Sequence, residues 1–185
     1  MGASWLALNS SLILSACQSA QTNATAKSPY TNISAADAIE LEAIVDQIIP
    51  ADETPGATET GVVYFIDAAL GGFMAANSEL LQQGLKDLSV QVKSGGTENS
   101  LFSDLSFGQQ TAVLKEIEES NFFGTLHFLT MMGMFCLPQY GGNRQENGWD
   151  LLGFDHQHVW QAPFGYYDAA VHEGTDDQGV DHGNS

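Results

Sequence analysis

The fold is decided by the stretch from Asn121 to Phe154, NFFGTLHFLTMMGMFCLPQYGGNRQENGWDLLGF. Its first half carries apolar and small residues at helical spacing, namely Phe122, Phe123, Leu126, Leu129, Thr130, Gly133 and Met134. Because nearly every face of such a helix is apolar or small, we expect a central helix that is buried on most sides. Pro138 and the glycines after it cannot continue a helix cheaply, so they predict a fixed loop.

Further helical segments precede the central one. Ser34 with Asp37, and Ser106 with Gln109, have the spacing of a capping box. Apolar residues at 41, 44, 45, 48 and 49 predict a first helix, and two more are predicted over 60–70 and 78–92. A fourth, after residue 106, leads to Asn121 as the cap of the central helix. Since no strand pattern or repeat stands out, we predict an all-α, irregular bundle of about five helices with a long loop-rich C-terminal segment.

The composition limits the classes of molecule that the protein is expected to bind. The chain has 185 residues, with 5 Lys+Arg against 23 Asp+Glu and a formal net charge of −18. Because nucleic-acid phosphates and anionic headgroups attract cations, this charge argues against both as binding partners. The acids are spread along the chain, which indicates a solvated surface, with a face for a basic partner as the alternative.

A short apolar stretch near the N-terminus ends in Leu14-Ser15-Ala16-Cys17. This resembles a bacterial lipoprotein signal and implies cleavage before Cys17, whose thiol would take the lipid. No Lys or Arg occurs in 1–11, where a signal normally carries positive charge, so the signal is interpreted as truncated. An ordinary secretory signal or a buried helix is the alternative. The predicted organisation is a signal peptide over 1–16, a flexible tether over 17–33, a helical domain over 34–172 and a disordered acidic tail over 173–185.

The usual catalytic motifs are absent from the sequence. It contains no GxGxxG for a dinucleotide, no GxSxG nucleophile elbow and no CxxCH for a covalent haem. We therefore predict no catalytic, cofactor-binding or metal-binding residues on this chain. An enzyme in its own right would need a deep pocket with convergent polar groups, which the sequence gives no reason to expect.

The loop after Pro138 supports two interpretations, which are compatible. Glycines that permit positive φ and an asparagine that bonds to nearby backbone are typical of a turn. Tyr, Trp and Arg also dominate the energetics of protein interfaces. The candidate partner interface comprises Tyr140, Gly141, Gly142, Asn143, Arg144, Trp149 and Phe164, with an exposed apolar patch expected near the last two.

Isolated reactive side chains receive more ordinary interpretations. Cys136 is interpreted as an inert packing thiol, with an inter-subunit disulfide as the alternative. His127 is interpreted as a satisfied core histidine. The C-terminal histidines, which include His156 and His158, support a second hypothesis of a free-standing lipid-anchored protein that binds metal through its His/Asp-rich tail.

An ordered set of short motifs resembles the gluconate 2-dehydrogenase subunit 3 family across about residues 36–154. They are Ile48-Ile49-Pro50-Ala51-Asp52, Pro55-Gly56-Ala57, Phe65-Ile66-Asp67, Phe122-Phe123, Tyr140-Gly141-Gly142-Asn143, Gly148-Trp149 and Gly153-Phe154.

The resemblance implies a small, non-catalytic accessory subunit of a membrane-associated dehydrogenase that oxidises gluconate or a related sugar or sugar acid. It implies that FAD sits on a large GMC-type partner subunit and haem c on a cytochrome partner. It also implies that the small subunit helps to export or anchor the large one on the periplasmic side of a bacterial membrane.

Overall fold

The computed structural model describes residues 29–95, 100–138 and 142–156, together with the single residue Asn23. The chain divides into two units, 1–153 and 154–185. The described ranges of the first unit form six α-helices and no strand, namely α1 (Ala35–Ile48), α2 (Val62–Leu70), α3 (Ser78–Ser94), α4 (Phe107–Glu116), α5 (Asn121–Phe135) and α6 (Asn147–Leu152). The all-α prediction is confirmed, with one short helix, α6, that the sequence pattern did not indicate.

Helix α1 begins and ends where its sequence predicts. The side chain of Ser34 accepts a hydrogen bond from the N–H of Asp37 at 3.0 Å, which caps the first turn. Pro50 disfavours helical geometry at Ile49, and the helix ends at Ile48. Its core side is formed by Ala38, Leu41, Ile44 and Val45, which are buried.

Helix α5 is the centre of the unit and packs on α1, α2, α3 and α6. Its N-cap is Ser120, whose hydroxyl accepts from the N–H of Phe123, so the prediction of Asn121 as the cap was wrong by one residue. Two glycines allow the close helix contacts. A Cβ on Gly84 of α3 would lie 2.1 Å from the ring of Phe122, and one on Gly133 would lie 3.0 Å from Val62 of α2.

The remaining long helices bury one side each. Helix α3 buries Leu81, Leu85, Leu88 and Val92, as its spacing predicts. Helix α4 starts with the predicted capping box, in which Gln109 accepts the N–H of Ser106 at 3.0 Å. The carboxylate of Glu40 on α1 accepts the N–H groups of Phe102 and Ser103, and this fixes the link between α3 and α4.

A buried carboxylate joins the chain ahead of α1 to α2. Asp67 is only 2% exposed, and its carboxylate accepts the backbone N–H groups of Thr31, Asn32 and Ile33 at distances of 2.6 to 3.1 Å. The side chain of Asn32 donates in return to the carbonyl of Asp67 at 2.8 Å. Contacts with the fold therefore begin ahead of α1, within the segment predicted as the end of the tether.

None of the helices in the described ranges is both long and apolar enough to cross a membrane.

Candidate partner-binding surface

The chain turns back onto the C-terminal end of α5 through Gly142 and Asn143. The N–H of Asn143 donates to the carbonyl oxygen of Gly133 at 2.7 Å. A Cβ on Gly142 would lie 2.4 Å from the carbonyl oxygen of Met132, so no larger residue fits there without movement of the backbone. Gly142 is thus required by its close approach to α5, while the predicted role of Gly141 in a turn lies outside the described residues.

The side chain of Asn143 organises the start of α6. It is 1% exposed, and its Oδ1 accepts the N–H groups of Gly148 at 2.8 Å and Trp149 at 3.3 Å. These N–H groups belong to the first turn of α6, where the helix itself offers no acceptor. The Nδ2 group is buried without a hydrogen-bond partner among the residues that the structure describes.

The backbone between Asn143 and α6 is in an unusual conformation. Asn143, Gln145 and Glu146 have φ angles of 46°, 57° and 62°, in the left-handed region. Asparagine tolerates this region, whereas glutamine and glutamate adopt it at a cost of about 1–2 kcal/mol each. Strain of this kind persists only where the surroundings fix the chain, and it concentrates at functional sites.

Trp149 lies inside the unit and does not protrude from it. Its side chain is 7% exposed, and its Nε1 donates to the carbonyl oxygen of Phe135 at 3.1 Å. The neighbouring Gly148 lies so close to α5 that a Cβ there would be 2.0 Å from the carbonyl oxygen of Met134. Trp149 therefore holds α6 against the end of α5.

The predicted interface residues consequently fall into three groups. Gly142, Asn143 and Trp149 are buried, and their side chains or backbones serve contacts within the chain. Arg144 is half-buried and is the one candidate with accessible side-chain surface among the described residues. The others, with the predicted lipidation site, lie outside the described residues: Tyr140, Gly141, Phe164 and Cys17.

The accessible apolar surface lies on other residues, which we call the apolar face. Its members are large apolar side chains on α5, α6 and the link after α5: Phe128, Met131, Leu137, Leu151 and Leu152, which are 37–65% exposed. The prediction that α5 is buried on most sides was wrong for this face. The sequence does indicate this exposed side, because polar or small residues recur along it at helical spacing: Asn121, Gly124 and His127.

His127 also differs from its prediction. It is exposed, and its ring lies 6.3 Å from that of Phe123 between centroids. It borders a groove of about 270 Å³ between α1, α4 and α5, which Lys115 and Glu118 also line. The interpretation as a satisfied core histidine was therefore wrong.

Cys136, by contrast, matches the ordinary interpretation of a packing thiol. It is half-buried with a free thiol. Burial raises the pKa of this thiol above its ordinary value of 9.0, and a hydrogen bond from the backbone of Gly142 offsets only part of that rise. The thiolate that disulfide exchange requires is therefore suppressed. A disulfide with another subunit remains a prediction.

In the part of the chain that the structure describes, no three His, Cys, Asp or Glu side chains come together as a metal site. His156 is exposed and belongs to the second unit. The other C-terminal histidines, His158, His172 and His182, lie outside the described residues, so the metal-binding hypothesis for the tail stays a prediction.

The helical unit coincides with a known family. A family model described as gluconate 2-dehydrogenase subunit 3 matches residues 35–155, from the first residue of α1 to just beyond α6. The chain belongs to this family. Membership gives the subunit an accessory role in a multi-subunit gluconate dehydrogenase complex. Comparisons with curated proteins and with solved structures found no match.

Proposed function

We propose that this subunit is the non-catalytic accessory (gamma) subunit of a periplasmic flavoprotein dehydrogenase, and that it binds the large GMC-type subunit that carries FAD. The partner would oxidise gluconate or a related sugar or sugar acid. The observation that carries the proposal is the family match over the whole helical unit. The small subunit supplies contacts for the partner, and the chemistry belongs to the partner's flavin.

The surface of the unit supports a binding role. Exposed apolar side chains that share a region of the surface are typical of protein interfaces. The residues of the apolar face lie on α5, the link after it and α6, and Arg144 lies in the strained link that leads into α6. We propose that the large subunit covers this region, with Tyr140, Arg144 and Phe164 as contact residues and Asn143 and Trp149 as the fixed support beneath.

A lipid on Cys17 would hold the complex at the periplasmic side of the membrane, close to a cytochrome partner with haem c. The proposed role has a second part, in which the small subunit helps to export the large subunit. Replacement of Cys17 by Ser is expected to move both subunits from the membrane to the soluble fraction. Cys136→Ser is the matched control and should leave both on the membrane. Membrane retention of the Cys17→Ser protein would contradict the anchor.

The first test is affinity purification of the full-length subunit from solubilised membranes of the source bacterium, with an absorbance spectrum of the eluate. A large partner at equal stoichiometry and a flavin spectrum are expected. Arg144→Ala should lower the flavin recovered, whereas Lys86→Ala on α3 is the control with the same loss of charge. Recovery of the subunit alone, without flavin, would overturn the proposal.

A further inference from the structure

Among the residues that the structure describes, none requires Gly124 to be glycine. It lies inside α5, where glycine weakens a helix relative to alanine. Gly84 and Gly133 are required because neighbouring side chains occupy the space of a Cβ, but a Cβ on Gly124 would meet no atom of the described ranges within 4 Å. Gly124 lies inside its helix and not in the first turn, as Gly108 does, and a glycine at such a position without a packing reason can serve a functional contact.

The open space is a groove of about 400 Å³ whose lining is mostly polar, with Glu118, Glu119, Ser120, Asn121 and Thr125 beside Gly124. Its apolar part, which we call the floor, consists of Phe128 of α5 and Met74 from the turn after α2. The ring of Phe128 is 51% exposed. Met131 is 39% exposed and follows Gly124 and Phe128 at helical spacing, so the floor of the groove continues into the apolar face.

The rim of the groove is acidic. Glu118 and Glu119 line it, both are exposed, and no Lys or Arg is among its lining residues. The whole chain adds to this potential with its net charge of −18. A long basic side chain suits such a groove, since its methylene stem can lie on Phe128 and Met74 while its charge reaches the carboxylates.

We propose that this groove receives a segment of the large flavoprotein subunit in which an arginine or lysine stands next to an apolar side chain. The inference rests on the proposed function and specifies the chemistry of the partner at one point of the interface. The apolar side chain packs over Gly124, and the cation lies between the ring of Phe128 and the two glutamates. Charge complementarity favours this occupant, because a second copy of the chain would bring its own acids.

The test uses the full-length subunit, purified from its own membranes, with the ratio of flavin to subunit as the readout. Gly124→Gln fills the groove, and Phe128→Asp removes its apolar floor. Each should lower the retained flavin at least about tenfold, as the loss of an interface anchor does. Glu118→Lys with Glu119→Lys should lower it as well, and the loss should grow smaller at high salt, where the repulsion is screened.

Matched controls separate binding from folding. Gly108→Gln places the same residue at an exposed glycine of α4 that also has open space, and Glu53→Lys makes half of the charge change of the double variant on the loop after α1. Both should retain flavin like the unaltered subunit. Because Gly124→Gln improves the helix, it should also raise the melting temperature of the isolated subunit, by about 2 °C or more.

The outcomes distinguish the two proposals. If the unaltered subunit retains flavin and the groove variants retain it equally, the groove is not the contact, while the accessory role stands. If the unaltered subunit recovers no flavoprotein, both proposals fail. If a groove variant instead converts a dimer of the unaltered subunit to a monomer without loss of flavin, that result would assign the groove to a second copy of the chain and would overturn the inference.

Discussion

Asn143 combines two properties that few residues offer together. Its side chain accepts two N–H groups at the start of α6, and its backbone takes a left-handed conformation. Asn143→Ala should lower the free energy of unfolding by about 2–4 kcal/mol, because two buried donors lose their acceptor and alanine resists this conformation. Denaturant unfolding measures the change.

The matched variant is Asn143→Gly, which keeps the backbone conformation and loses only the acceptor. Its loss in the free energy of unfolding should be about 1 kcal/mol smaller than that of Asn143→Ala, because glycine adopts the left-handed conformation without strain. If both variants unfold like the unaltered protein, Oδ1 does not stabilise α6.

The thiol of Cys136 gives stability a dependence on pH. Burial raises the pKa of this thiol, so the folded chain keeps the proton at pH values where the unfolded chain has lost it. The contribution is complete below the unfolded pKa of about 8.5–9, and it is lost as pH rises through the higher folded pKa. Unfolding free energies measured from about pH 8 to about pH 10 should therefore fall.

Cys136→Ala is the comparison for this pH series. Its stability should fall less steeply over the same range, because tyrosines remain but the thiol is gone. Equal slopes for the two proteins would show that the thiol titrates alike in the folded and unfolded chains.

Among the elements, the segment ahead of α1 depends on one carboxylate of α2. Asp67→Asn replaces an acceptor of three N–H groups by an amide whose NH₂ end faces donors. The loss should be about 2–3 kcal/mol, with faster amide hydrogen exchange at Thr31, Asn32 and Ile33. Asp87→Asn on the exposed side of α3 is the control and should change stability by less than about 0.5 kcal/mol. Unchanged exchange at residues 31–33 would contradict the assigned contact.

Helix α3 meets α5 at a position where only glycine fits. Gly84→Ala should destabilise the protein by about 1–3 kcal/mol despite the better helix propensity of alanine, because the ring of Phe122 is buried and cannot move away easily. Gly108→Ala, with open space around it, should be neutral or slightly stabilising. Thermal unfolding should show a lower melting temperature for Gly84→Ala and an equal or higher one for Gly108→Ala. A higher melting temperature for Gly84→Ala would show that α3 and α5 separate readily.

The sequence predicted the helices well where local signals act. Capping residues and apolar spacing located α1, α3 and α4, because these signals are contained within a few residues of chain. Helix α6 was missed, since its start depends on Asn143 and on Trp149 packing against α5, contacts made in three dimensions. The burial of Trp149 and the exposure of Phe128 likewise depend on which faces of the helices meet, and composition does not determine that.

The melting temperature of the whole molecule should depend more on its net charge than on any single ion pair. A net charge of −18 on 185 residues produces self-repulsion in the folded state. Because salt shortens the range of this repulsion to a Debye length of about 3–10 Å, the melting temperature should rise between low and molar NaCl. KCl at matched concentration should act alike, and a flat response would show that the acids are far enough apart not to interact.

The contact between Asp67 and residues 31–33 also has a mechanical consequence. If Cys17 carries the anchor, the chain between it and Tyr30 can span at most about 45 Å when fully stretched. A pull from the membrane then reaches the bundle at α2, a helix in contact with the central α5, before it acts on α1. Force on the N-terminal segment would therefore be carried by a buried carboxylate in the interior of the bundle.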